Sequence, residues 1–138
     1  MVGGVFDILH PGHLYLFRKA KEYGTVIAVV ARDKTVENVK GRRPVIPEAQ
    51  RLEMVRALKS VDQAMLGSED LDIASVINIV QPDIIILGPD QGWLEEKIKA
   101  LKENIVKNIK IIKLKNKDTR YPMESSSIII EKIKNVNQ

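Results

Sequence analysis

His10 and His13 are the only two histidines of the chain, and they stand three residues apart in Gly3-Gly4-Val5-Phe6-Asp7-Ile8-Leu9-His10-Pro11-Gly12-His13. Side chains three apart on a helix share a face, so both imidazoles can turn to one ligand. Each can donate a hydrogen bond to a phosphoryl oxygen, more strongly when protonated. Gly3 and Gly4 let the backbone approach a ligand closely, and Gly12 leaves room beside the turn that follows. Pro11 suits the first turn of a helix. A helix start offers free N–H groups and a partial positive charge, both suited to phosphate. The stretch reads as a phosphate site. Two rival readings stand beside it. The histidines could hold a metal ion, but with no third histidine and no cysteine, carboxylates would have to complete the set. They could also be purely structural.

The elements that must position this turn follow from hydrophobic periodicity. Thr25 to Ala31 is a short run of β-branched and small residues and reads as a buried strand. Val61 to Leu66, Ile84 to Leu87 and Ile109 to Leu114 are further strands, the third of these four entered at Pro82-Asp83 and left at Gly88-Pro89. Between them lie helical patterns. Pro11 to Tyr23 carries Leu14, Phe17 and Ala20 on one stripe and stops at Gly24. Pro47 to Leu58, Leu71 to Val80 and Leu94 to Val106 continue the alternation. Ser125 to Val136 closes it, with serines as caps and Ile129, Ile133 and Val136 spaced for burial. Strand-helix alternation predicts one α/β domain over residues 1–138: a Rossmann-like, doubly wound parallel sheet with helices on both faces. Ligands of such sheets bind beyond the carboxyl ends of the strands. The first strand looks short. It is either a stub extended by Val5 and Phe6, or the front of it is missing.

Composition narrows the function classes. Of 138 residues, 44 % are hydrophobic and 29 % charged, as in soluble globular domains. The absence of cysteine excludes a disulfide framework, a thiolate metal site and a cysteine nucleophile, and fits a reducing, cytoplasmic setting. No apolar run approaches the ~20 residues of a membrane span, so neither a membrane segment nor a signal peptide is expected. The net charge of +4 comes from lysines mixed with glutamates, which reads as solvated faces rather than a nucleic-acid surface.

Gly-x-Phe-Asp-x-x-His-x-Gly-His resembles the signature of the cytidylyltransferase-like (HxGH) nucleotidyltransferase superfamily. Further stretches match in family order. Ala31-Arg32-Asp33 with Lys40-Gly41-Arg42-Arg43-Pro44 looks like the loop that carries a phosphate-binding lysine. Gln50 to Val55 and Val61-Asp62 resemble the helix and strand behind it, Leu87-Gly88-Pro89-Asp90-Gln91 the nucleotide-side loop, and Ser125-Ser126-Ser127 the terminal phosphate loop. Within the superfamily, the Lys40 and Asp90 stretches look most like the archaeal FMN adenylyltransferase group. Cytidylyltransferases of glycerol 3-phosphate carry an Asp-Trp-type loop instead, although Trp93 lies two residues after Gln91. Pro122 to Ser126 looks like a Cys-Pro-x-His-Ser-Ser stretch with Tyr121 and Glu124 in place of Cys and His. An arginine of the adenylyltransferase pattern is replaced by Ile130, for which Arg120 or Lys132 could substitute.

The resemblance implies attack by a substrate phosphate on the α-phosphorus of a nucleoside triphosphate, with release of pyrophosphate. Alignment and charge neutralisation carry such a reaction. It assigns His10, His13 and Lys40 to catalysis, with His13 on the α-phosphoryl charge. Gly4, Val5, Phe6, Gly12, Asp90, Ser125, Ser126 and Ser127 join the two histidines in nucleotide binding. Asp7 could orient the acceptor or hold Mg²⁺, or be a turn residue. Arg120 is a further acceptor candidate. Arg42 and Arg43 are weaker candidates for phosphate contact, and Arg51 reads as structural, on a helix face. The expected substrates are ATP and FMN with Mg²⁺ or another divalent cation. CTP with a phospho-alcohol is the alternative, and a nucleotide- or nucleic-acid-binding module without turnover is the reading from another class. Tyr121, Met123 and Trp93 are possible walls for a flavin ring. A homodimer is implied by resemblance alone.

Overall fold

Short runs of valine and isoleucine, buried on both faces, pair as parallel strands, and the longer amphipathic segments between them cover the sheet. The computed structural model describes residues 1–116 and 120–136. In chain order the elements are β1 (Val2–Gly4), α1 (Pro11–Lys21), β2 (Ile27–Val30), α2 (Asp33–Lys40), α3 (Glu48–Arg56), β3 (Gln63–Leu66), α4 (Ile73–Val80), β4 (Ile84–Leu87), α5 (Gly92–Lys99), α6 (Glu103–Val106), β5 (Lys110–Lys113) and α7 (Ser126–Lys134).

β1, β2 and β3 form one parallel ladder, with Val2 opposite Ala28 and Val30 opposite Leu66. β4 and β5 form a second, with Ile85 opposite Ile111. Met1 joins them: its N–H donates to the Ile84 carbonyl at 2.8 Å and its carbonyl accepts from the Ile86 N–H at 3.0 Å, the staggered pattern of a parallel pair. The strand order is therefore β3-β2-β1-β4-β5. The chain winds outward from β1 to β3 and then returns to the other side of β1. The topological switch point lies between β1 and β4.

Alternation along the strands divides the core in two. Val2, Ala28, Val30 and Ile86 face one side, where Phe17 and Ala20 of α1 and Val55 of α3 meet them. Ile85 and Leu87 face the other, against Ile77 of α4 and Ile98 of α5. Helices thus cover both faces, as the doubly wound reading requires. Asp62 ties the base of the sheet by accepting from Val26 N–H at 2.7 Å and from Lys21, and these bonds hold its carboxyl below the usual range.

Several expectations are corrected. Val5 and Phe6 do not extend β1, because Phe6 adopts a left-handed φ of 53° that ends the strand. Residues 33–40, read as loop, are helix α2, ended by Gly41 at φ 76°. Residues 94–106, read as one helix, break into α5 and α6, yet Ile98, Leu101 and Ile105 all reach the same core, so apolar spacing runs through the break unmarked. No residue of α7 is fully buried: Ile133 is 62 % exposed, and Val136, read as part of this helix, lies beyond its end at 69 %.

Candidate active site

A cleft of about 450 Å³ opens at the carboxyl ends of the strands, across the switch point. His10 is the N-cap of α1: its backbone is extended, and its Nδ1 accepts from the Gly12 N–H at 3.1 Å. An accepting Nδ1 leaves the proton on Nε2, available as a donor. The His13 ring stacks on His10 at 3.7 Å between centroids. The Phe6 ring meets His13 edge-on at 5.3 Å and packs on Phe17 at 5.0 Å, so the histidine pair rests on the core.

Gly4 and Gly12 each meet a specific steric demand. A Cβ on Gly4 would lie 2.8 Å from the Phe6 ring. On Gly12 it would lie 2.7 Å from the Glu124 carbonyl oxygen and 2.8 Å from the His10 ring. Gly12 therefore permits both the stacked histidines and the docking of the segment before α7.

Burial holds the His10 imidazole below its ordinary range and presses His13 down to about 3, with the adjacent His10 adding to the effect. Both rings are therefore neutral at pH 7. His13 Nδ1 is buried and has no hydrogen-bond partner among the described residues.

The start of α7 closes the cleft beside the histidines. Ser125 is its N-cap, accepting from Ile128 N–H at 3.2 Å. The Ser126 hydroxyl donates to the Ile8 carbonyl at 2.9 Å and accepts from the Ile8 N–H at 3.3 Å. It binds the two helix starts together. Ser127 is exposed and lines the cleft. Lys40 ends α2 and lines the cleft with Arg42 and Arg43, the last paired to Glu37 at 2.8 Å. Asp90 lines it from the loop after β4. Val5, like Gly4 and Phe6, belongs to the wall under the first turn.

Asp7 lines the cleft too, but its two carboxylate oxygens accept from the Val45 and Ile46 N–H groups at 2.9 and 2.8 Å, the loop-holding role open to it as a turn residue. Arg120 is not brought to the cleft; its guanidinium lies 5.4 Å from the centre of the Tyr121 ring. Neither Tyr121 nor Met123 lines the cleft, whereas Trp93 and Ile130 do.

Spacing does not single out two further residues. The Gln91 amide donates to Gly3 O and accepts from Gly88 N–H, both at 2.9 Å, pinning the Asp90 loop to β1 across the switch point. Arg51, read as a residue of a helix face, is structural but wholly buried. Apolar lining also goes unmarked: Val29, Val36, Val39, Leu71 and Val76 line the cleft.

A switch-point cleft with two neutral histidines and two helix starts defines a phosphate-handling α/β protein. The model of the cytidylyltransferase-like family matches residues 1–132, and the chain belongs to that family. It is 46 % identical over 131 residues to a protein of Methanohalophilus mahii named FAD synthase, covering 94 % of this chain and 89 % of that one. It is 47 % identical to an FAD synthase of Methanocella paludicola, covering 95 % and 92 %. A crystal structure of a lipopolysaccharide core biosynthesis protein from Thermoplasma volcanium superposes with a TM-score of 0.73 at 39 % identity, covering 83 % of this chain and 93 % of that one.

Proposed function

We propose that this protein is an FMN adenylyltransferase, an FAD synthase. A phosphate oxygen of FMN attacks the α-phosphorus of ATP, the bond to the β-phosphate oxygen breaks, and FAD and pyrophosphate leave. The attacking phosphate is already anionic, so the protein's work is alignment and charge neutralisation. His10 and His13 donate to the phosphoryl oxygens, His13 most directly to the charge that grows in the transition state. The starts of α1 and α7 bind the triphosphate through backbone N–H groups. Lys40, with Arg42 and Arg43 beside it, meets the phosphates from the acceptor side. Asp90 contacts the nucleotide.

The observation that carries FMN over a phospho-alcohol is the likeness to FAD synthases, at 46 and 47 % identity over nearly the whole chain. Val39 and Leu71, in the cleft with the histidines and not buried, offer an apolar edge that a flat aromatic ring covers. Trp93, exposed by 43 %, is the one of the three foreseen walls that lines the cleft and can contribute to a ring slot. Mg²⁺ enters this reading on the triphosphate, since it keeps several waters and takes one or two carboxylates with substrate phosphates. A cytoplasmic homodimer acting on small molecules, without nucleic-acid or membrane partners, belongs to the same reading. Family resemblance supports the dimer. Among the described residues, no helix is long and apolar enough to cross a membrane.

A pyrophosphate-release assay pairing ATP or CTP with FMN or glycerol 3-phosphate tests the reading. Release is expected with ATP and FMN alone, with FAD as the product. His13→Ala should lower kcat by about a hundred- to a thousandfold, as expected for losing one donor to a developing oxyanion. Release with CTP and the phospho-alcohol would select the cytidylyltransferase reading, and nucleotide binding without release the module without turnover.

A further inference from the structure

The basic residues Lys40, Arg42 and Arg43 sit at the edge of a segment, residues 41–47, that has neither helix nor strand. Its far end is held by side chains from elsewhere. Val45 and Ile46 donate their N–H groups to Asp7, and the Ile46 carbonyl accepts from Arg51 Nε at 2.8 Å. Arg51 is 1 % exposed and has two further bonds. One guanidinium nitrogen donates to the Val5 carbonyl at 2.7 Å, the other to Asp33 Oδ1 at 2.7 Å. Val5 and Asp7 flank Phe6, whose left-handed φ opens the histidine turn. Asp33 is the first residue of α2, the helix that ends at Lys40. One buried guanidinium and one carboxylate thus join the entry of the histidine turn, the start of the lysine helix and the end of the basic segment.

We propose that Asp7 and Arg51 are positioning residues that hold Lys40 and its basic segment in register with His10 and His13. The assignment rests on the adenylyl-transfer reading for the reaction that it serves. Neither residue acts on phosphate itself. A guanidinium suits this task because its planar fork reaches several acceptors at fixed angles, which a lysine ammonium cannot reproduce. A carboxylate suits the other because it accepts from two adjacent N–H groups at once.

The test uses Asp7→Asn, close in shape, and Arg51→Lys, which keeps the buried charge. Asn keeps one acceptor oxygen but sets an NH₂ against the second backbone N–H. Each variant should lower kcat by about ten- to a hundredfold, the scale of a misplaced catalytic group. The loss should not add to that of Lys40→Ala, since both changes act through Lys40. Trypsin should cut the Arg42–Arg43 bond about tenfold faster in Asp7→Asn than in the wild type, because the segment has lost its anchor. Additive losses, an unchanged cutting rate, or recovery of Asp7→Asn by raised Mg²⁺ would each overturn the proposal. The cutting rate needs no turnover. Wild-type protein that releases no pyrophosphate defeats the functional reading, while the anchor still stands or falls on the proteolysis.

Discussion

His13 carries a cost that pH can expose. Its folded pKa lies near 3 against an ordinary 6.5. Between these values the unfolded chain binds a proton that the folded one does not, so stability rises with pH across that window. Folding stability is full above about pH 6.5 and falls by about 1.4 kcal/mol for each unit below it. Unfolding free energies from urea titrations at pH 7 and pH 5 should therefore differ by about 2 kcal/mol in the wild type, and by less in His13→Gln. ATP should narrow the difference by raising the folded pKa. Equal losses in wild type and variant would mean that His13 is not held neutral by burial. The two histidines and their glycines were legible in the sequence because the constraint is local: the partners lie within a few residues. The role of Gly12 was only half legible. Its second neighbour, the Glu124 carbonyl, comes from the far end of the chain.

At the scale of elements, a joint holds the starts of α1 and α7 side by side at the cleft. Ser126 spends its hydroxyl on both backbone groups of Ile8, while Ser125 caps α7. Ser126→Ala should cost about 1–3 kcal/mol, leaving partly buried Ile8 groups unpaired, and should raise KM for ATP. Ser127→Ala should change stability by no more than about 0.5 kcal/mol. Urea unfolding of both variants decides this, and a Ser126→Ala protein as stable as the wild type would remove the joint from the account. α2 escaped the sequence reading for a physical reason. Its segment is short and carries Thr, Val and Asn, weak helix formers. Tertiary contacts make it helical, among them the Thr35 hydroxyl donating to the Ser68 and Glu69 carbonyls. In α7 the apolar spacing promised burial that the fold does not supply.

For the whole molecule, one sheet separates two apolar clusters that share its strands. Phe17 sits in the first and Ile98 in the second, each buried to 1 % or less. Phe17→Ala should cost about 3–5 kcal/mol and Ile98→Ala about 2–5 kcal/mol. Both should shift one common transition, followed by far-ultraviolet circular dichroism and by Trp93 fluorescence. Two separated transitions would show that the faces unfold as independent units. Cooperativity is expected because β1 contributes to the first cluster and is joined through Met1 to β4, whose Ile85 and Leu87 build the second.

By itself the sequence determined which segments are strands, most of the helices, and the histidine turn at the start of α1. Each rests on periodicity or on residues a few positions apart, where the chain's own geometry decides. The tertiary structure alone decided the strand order around β1 and the partners of the side chains that hold the site. Arg51 reaches Val5 across 46 residues, Gln91 reaches Gly3 across 88, and Ser126 reaches Ile8 across 118. No spacing encodes such pairs. They form because winding the chain back across β1 brings the ends of the strands together.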